Sequence, residues 1–155
     1  MSAHDASLPP RSRETTRSPL RIAALLMGVV FLLVGIAGFI PGITSGVDEL
    51  QFVGHHSSAL LLGLFQVSIF HNIVHLLFGV VGIAASRSVK ASRLYLLIGG
   101  VVYLLLWIYG LVVPHDSQLN FVPLNSADNW LHLCLAAGMI GFGALLTPSM
   151  GRSRG

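Results

Sequence analysis

Charge is scarce in this chain: Asp, Glu, Lys and Arg make up 10% of its 155 residues, against about 25% in a soluble globular domain. Cysteine is nearly absent, and Cys134 alone excludes an internal disulfide and a cysteine-based metal cage. Glycine loops that cradle phosphate and strained serine elbows are missing, so no motif for nucleotide or acyl chemistry is present. What fills the chain instead is apolar: 54% of the residues are hydrophobic, with a mean hydropathy of +0.78. That composition belongs to a membrane protein. The formal charge of +3 does not imply nucleic acid, because the basic residues sit in short segments flanking apolar blocks.

Four such blocks run over Leu20–Ile40, Ala59–Ala85, Leu94–Val113 and Trp130–Leu146. About 20 helical residues span the hydrocarbon core, and an isolated apolar segment in lipid must satisfy its own backbone hydrogen bonds. The expected fold is all-α, an integral membrane four-helix bundle over 20–147, with helices at about 20–40, 59–85, 94–113 and 129–147. Residues 1–19, rich in Ser, Arg and Pro, read as a disordered cytoplasmic tail, and 148–155 as a second tail. Gly35-Ile36-Ala37 has small-x-small cleavage spacing, but the first block is longer than the 7–15 residue core of a signal peptide. No residue-level repeat is read across the blocks.

Orientation follows from charge. Arg11, Arg13, Arg17 and Arg21 precede the first block, Arg87, Lys90 and Arg93 separate the second from the third, and Arg152 and Arg154 follow the fourth. All nine basic residues therefore fall on one side, which places both termini in the cytoplasm and the protein in the plasma membrane as a multi-pass chain. Asp48, Glu49, Asp116 and Asp128 fall outside. Tyr95, Trp107, Tyr109 and Trp130 mark the interfaces.

His71 and His75, with Asn72, lie mid-way along the apolar run from Ala59 to Ala85, which puts them near the bilayer midplane. Polar side chains at that depth face partners rather than lipid. At 100° per residue Ser68, His71, His75, Gly79, Gly82 and Ser86 share one stripe, with Asn72 at its edge. The fourth helix aligns Asp128, His132, Ala136, Met139, Gly143 and Thr147; the first aligns Ala24, Gly28 and Gly35; the third aligns Tyr95, Gly99 and Gly110, with Tyr103 to one side. Each helix thus offers one inward face of small and polar residues.

Counting from the inner ends, His71 stands fifteen residues above Ser86 and His132 fifteen above Thr147, so the two are level; Tyr103 and His75 are nearly level as well. Counting from the outer ends instead sets His71 deeper than His132. The inner count is preferred because basic residues anchor that end of helix two.

Three readings of these groups stay open. One is a structural hydrogen-bond network of His, Asn and Tyr103. Another is a cofactor site in which His71, His75 and His132 bind a haem or a transition metal, His71 with His132 being the better axial pair. Ser68, Asn72, Tyr103 and Asp128 would support that site, but no complete metal shell is evident. The third is a proton or solute path, which is short of polar groups below His75. Asn125-x-x-Asp128 reads as a helix start with a carboxylate in its first turn. His55, His56 and His115 read as solvated loop residues, and Cys134 as an apolar filler.

Two stretches carry a family resemblance: Phe70-His71-Asn72-Ile73-Val74-His75-Leu76-Leu77 followed by Gly79-x-x-Gly82, and Pro123-Leu124-Asn125-Ser126-Ala127-Asp128-Asn129-Trp130-Leu131-His132. In this order they resemble the domain of unknown function 4383 family of bacterial membrane proteins, common in actinobacteria, over about residues 20–147. Ser68 stands where that pattern leads one to expect asparagine. The resemblance implies a four-helix membrane protein and supplies no activity, substrate or cofactor. A non-enzymatic accessory or envelope-associated role fits the residues. The expected partners are the lipid bilayer and a membrane protein or a second copy of the chain, not nucleic acid.

Overall fold

A computed structural model describes residues 18–54 and 56–146. Thr147, His55, the C-terminal tail, nearly all of the N-terminal tail, and Arg11, Arg13, Arg17, Arg152 and Arg154 lie outside the described residues. Four helices make the body: α1 (Pro19–Ala37), α2 (Ile69–Ala85), α3 (Val89–Val112) and α4 (Ser126–Leu145). Their starts are chemically marked. Pro19 opens α1, where its missing N–H is not needed. The Oγ atoms of Ser68 and Ser88 accept the N–H of His71 (3.1 Å) and Ala91 (3.5 Å). Asn125 and Asp128 form a reciprocal capping box at α4. By length and composition α1 and α3 are apolar enough to cross a membrane, while α2 is a shorter apolar helix.

The second helix starts ten residues later than the run of apolar residues does. Residues 59–68 instead carry two strands of a small antiparallel sheet ordered β1 (Thr44–Ser45), β2 (Leu60–Leu61), β3 (Phe65–Gln66), with Thr44 opposite Leu61 and Leu60 opposite Gln66. Between β2 and β3 the chain reverses through three residues, 62–64, of which Leu62 (φ 54°) and Gly63 (φ 69°) are both left-handed. Ala59, Leu61 and Val67 pack into a separate small core under this sheet. The sheet, a 3₁₀ turn at Val47–Glu49 and the 113–125 connection, joined by the Gly54 N–H donating to the Phe121 carbonyl (2.8 Å), cover one end of the bundle. This is the cap end; the short α2–α3 connection lies at the other, the turn end.

Helix α1 packs chiefly on α2 and α3 chiefly on α4, with far less contact between the two pairs. The molecule is therefore two helical hairpins docked side by side. Both hairpins are built alike, which overturns the expectation of no repeat. Residues 21–40 and 93–112 are identical at nine of twenty positions, including Arg21/Arg93, Gly28/Gly100 and Gly38/Gly110. Residues 68–87 and 125–144 match at only four, but these include Asn72/Asn129, His75/His132 and Ile83/Ile140.

Contacts repeat with the letters. A Cβ on Gly28 would stand 2.7 Å from Ile83 N and 2.9 Å from Gly79 O; on Gly100 it would stand 2.9 Å from Ile140 N and 3.1 Å from Ala136 O. Only glycine lets the paired backbones come this close. At the turn end Arg21 Nε donates to the Ser86 carbonyl (2.8 Å), and Arg93 Nε donates to the Gly143 carbonyl (3.0 Å). Equivalent arginines thus cap equivalent helix C-termini, where a cation is favoured. Phe31 and Tyr103, themselves equivalent, stack across the middle with ring centroids 5.4 Å apart and planes 3° from parallel.

Candidate functional site

The histidines lie at the cap end rather than half-way along the bundle. With α2 starting at Ile69, His71 falls in its first turn and His75 in its second; His132 falls in the second turn of α4. The expected position half-way along helix two fails because α2 begins only at Ile69, after the β2–β3 hairpin. At 1.5 Å per residue, fifteen residues put His71 about 22 Å from Ser86, close to the cap.

All three imidazoles turn inward to the seam between the hairpins. His71 is 7%, His75 8% and His132 2% exposed. His71 and His75 rings meet edge-on with centroids 4.5 Å apart, and His71 lies 6.4 Å from His132. Tyr103 contacts His132 (5.3 Å), and Phe31 contacts His75 (5.7 Å). Each half thus sets one aromatic ring of its first helix against the matching histidine of its second. Phe31 touches both His75 and Tyr103.

Hydrogen bonding does not link this cluster. The Nδ1 atoms of His71, His75 and His132, and both polar side-chain atoms of Asn72, are buried without a partner. A structural network would have paired them, since each unpaired buried group costs roughly 1–3 kcal/mol. The other supporting residues have local duties. Ser68 caps α2. Asp128 Oδ2 accepts the N–H of Asn125 (2.9 Å) and of Gln66 (3.1 Å), fastening β3 to α4. His56 and His115 are exposed, and Cys134 is also exposed rather than filling the interior.

Two cavities flank the imidazoles. One, of about 200 Å³, lies between α1, α2, α4 and the β2–β3 turn, and is lined by the three histidines, Asp128 and apolar side chains. The second, of about 170 Å³, lies toward α3 and shares the same histidines with Tyr103. Among the described residues no group of three or more His, Cys, Asp or Glu is placed to hold a metal ion. The larger cavity is below the roughly 300–1,000 Å³ of a pocket that encloses a drug-sized ligand. A preformed cage of three or more such ligands is therefore absent among the described residues.

The repeat exposes where the halves differ. Asn129 Nδ2 donates to the Gly110 carbonyl (2.8 Å), whereas its equivalent Asn72, packed on Gly38, has no partner. His71 occupies the position of the capping carboxylate Asp128. Asn72→Leu, which keeps the side-chain shape, is expected to be neutral or to stabilise by up to about 1 kcal/mol, and Asn129→Leu to destabilise by about 1 kcal/mol. Reversible unfolding in mixed micelles, followed by circular dichroism, checks the pair.

Residues 21–145 match the family described as a domain of unknown function, DUF4383. No curated protein and no solved structure matches the chain.

Proposed function

We propose, from the premise that this chain belongs to the DUF4383 family, that it is a non-enzymatic, envelope-associated binding protein of the plasma membrane. All four helices span the bilayer, and the histidine cluster near the outer face holds a small molecule. The described basic residues, Arg21, Arg87, Lys90 and Arg93, gather at the turn end, while Asp48, Glu49, Asp116 and Asp128 lie at the cap end. That asymmetry supports cytoplasmic termini and an outward-facing cap. Helix α2, at 17 residues, is at the short limit for the hydrocarbon core.

One observation carries the binding role: three nine-tenths-buried imidazoles, drawn from both hairpins, leave nitrogens unpaired beside a cavity. Evolution of a purely structural seam has no use for that arrangement, because apolar side chains of the same shape would cost less. The haem- or metal-binding alternative through His71, His75 and His132 is the weaker reading, given the cavity volume and the ligand geometry.

Native mass spectrometry of gently extracted protein tests the role. A retained small molecule is expected on the wild type and on a lipid-face control, Leu33→Ala, and is expected to vanish from the His75→Gln/His132→Gln double variant. Retention by the double variant would refute the histidine site. A Soret band or one equivalent of metal would instead favour the alternative.

A further inference from the structure

Resting on that reading, we propose that the larger cavity is a sideways entry for a lipid-soluble molecule with a neutral hydroxylated ring, of the quinol or phenol class. Its walls and rim argue for the route. Helices α1 and α4 barely touch, so packing does not close the gap between them. The rim is formed by Val30, Leu62 and Leu131, all apolar and all exposed on the outside of the bundle. Water gains nothing from such an opening, whereas acyl chains and their solutes meet it directly. Leu62, 65% exposed, is held over the rim in a left-handed conformation that a branched side chain seldom adopts.

The far end of the cavity argues for the head group. His71, His75 and His132 line it, and Asp128 lines it too. A neutral imidazole has one donor and one acceptor, so the cluster can both give and take a hydrogen bond. Asp128 already accepts two backbone N–H bonds through one oxygen, and the lining holds no Lys or Arg to pair with an anionic head. A fatty-acid carboxylate is thereby disfavoured. A ring hydroxyl answers both needs: it donates to an imidazole nitrogen and accepts from an imidazole N–H. Phe31 and Phe65 offer flat apolar surface to the ring, and about 200 Å³ suits one substituted ring with its tail left in the membrane.

The test uses the full-length protein in nanodiscs, with histidine-selective ¹⁵N labelling and ubiquinol-1 kept reduced as the probe. Ubiquinol-1 is expected to shift the imidazole resonances saturably. Val30→Trp and Leu131→Trp, on opposite sides of the rim, are each expected to weaken that response about tenfold, and Leu33→Trp on the open lipid face to leave it within about twofold. The oxidised probe, which accepts but does not donate, is expected to bind about tenfold more weakly. Equal responses in all variants would mean simple partitioning into lipid and overturn the entry route. Resonances moved by one equivalent of Zn²⁺ but not by ubiquinol-1 would overturn the ligand class in favour of a metal. Should the His75→Gln/His132→Gln variant lose its native molecule while ubiquinol-1 moves nothing, the histidine site stands and the quinol class falls.

Discussion

Gly28→Val is expected to force α1 off α2 and destabilise the protein by about 1–3 kcal/mol, the usual range for overpacking. The reason is what surrounds the position. A Cβ there meets Ile83 N at 2.7 Å and Gly79 O at 2.9 Å, and backbone atoms have no rotamer to retreat into. Relief requires the helices to separate along their whole contact, which also disturbs the Arg21 bond to the Ser86 carbonyl. Gly100→Val should do the same to the second hairpin, where Ile140 N and Ala136 O stand at 2.9 and 3.1 Å. A matched control is at hand. Gly138 faces open space, so Gly138→Ala is expected to be tolerated, and better helix propensity adds at most about 1 kcal/mol. Reversible unfolding in mixed micelles checks all three. Unchanged stability in Gly28→Val would show that the helices are not in backbone contact.

Asp128→Leu is expected to cost about 2–5 kcal/mol. It leaves the N–H groups of Asn125 and Gln66 without their acceptor, at roughly 1–3 kcal/mol each when they are buried. Both donors converge on a single oxygen, so Asp128→Asn keeps an acceptor in place and is expected to lose less than half as much. The two variants separate a need for the oxygen from a need for the charge. The loss has a location as well as a size. Gln66 ties β3 to the start of α4, so amide exchange at Gln66 and Asn125 should quicken in the Leu variant well before the helix interiors open. Equal exchange in both variants would show that the cap is held by something else.

Much of the helical core could be read from residue types. The stripes of α2 and α4 are buried as their spacing requires, from His71, His75, Gly79 and Gly82 to Asp128, His132, Ala136 and Met139. The chain's own capping chemistry marked α4 through Asn125 and Asp128. The sheet was hidden for a physical reason. Leu60, Leu61, Leu62 and Leu64 look like the start of an apolar helix, and a leucine in the first left-handed position of a turn sends no turn signal. Counting a helix from Ala59 moves the histidines toward its middle, whereas α2 begins at Ile69. That shift leaves their inward direction intact, because direction depends on spacing within the helix and not on where the helix begins.

The repeat was hidden by unequal connections. From Gly38 to Ser68 the chain travels thirty residues, and from Gly110 to Asn125 only fifteen. The first helices of the two halves therefore align at an offset of 72 residues and the second helices at 57, and no single shift superposes both. Phe31, unlike its counterpart Tyr103, carries no polar atom to mark it in the sequence. Pocket shape lay beyond residue patterns altogether, since it depends on how weakly the hairpins dock.

Two like hairpins, each closed by its own arginine and its own glycine contact, imply an order of biogenesis. A nascent chain can close the first hairpin while the ribosome is still translating the second, because neither closure needs residues from the other half. At that stage His71 and His75 are present and His132 is not. The three-histidine cluster is thus completed only when translation is nearly finished, and a product truncated before α4 lacks His132.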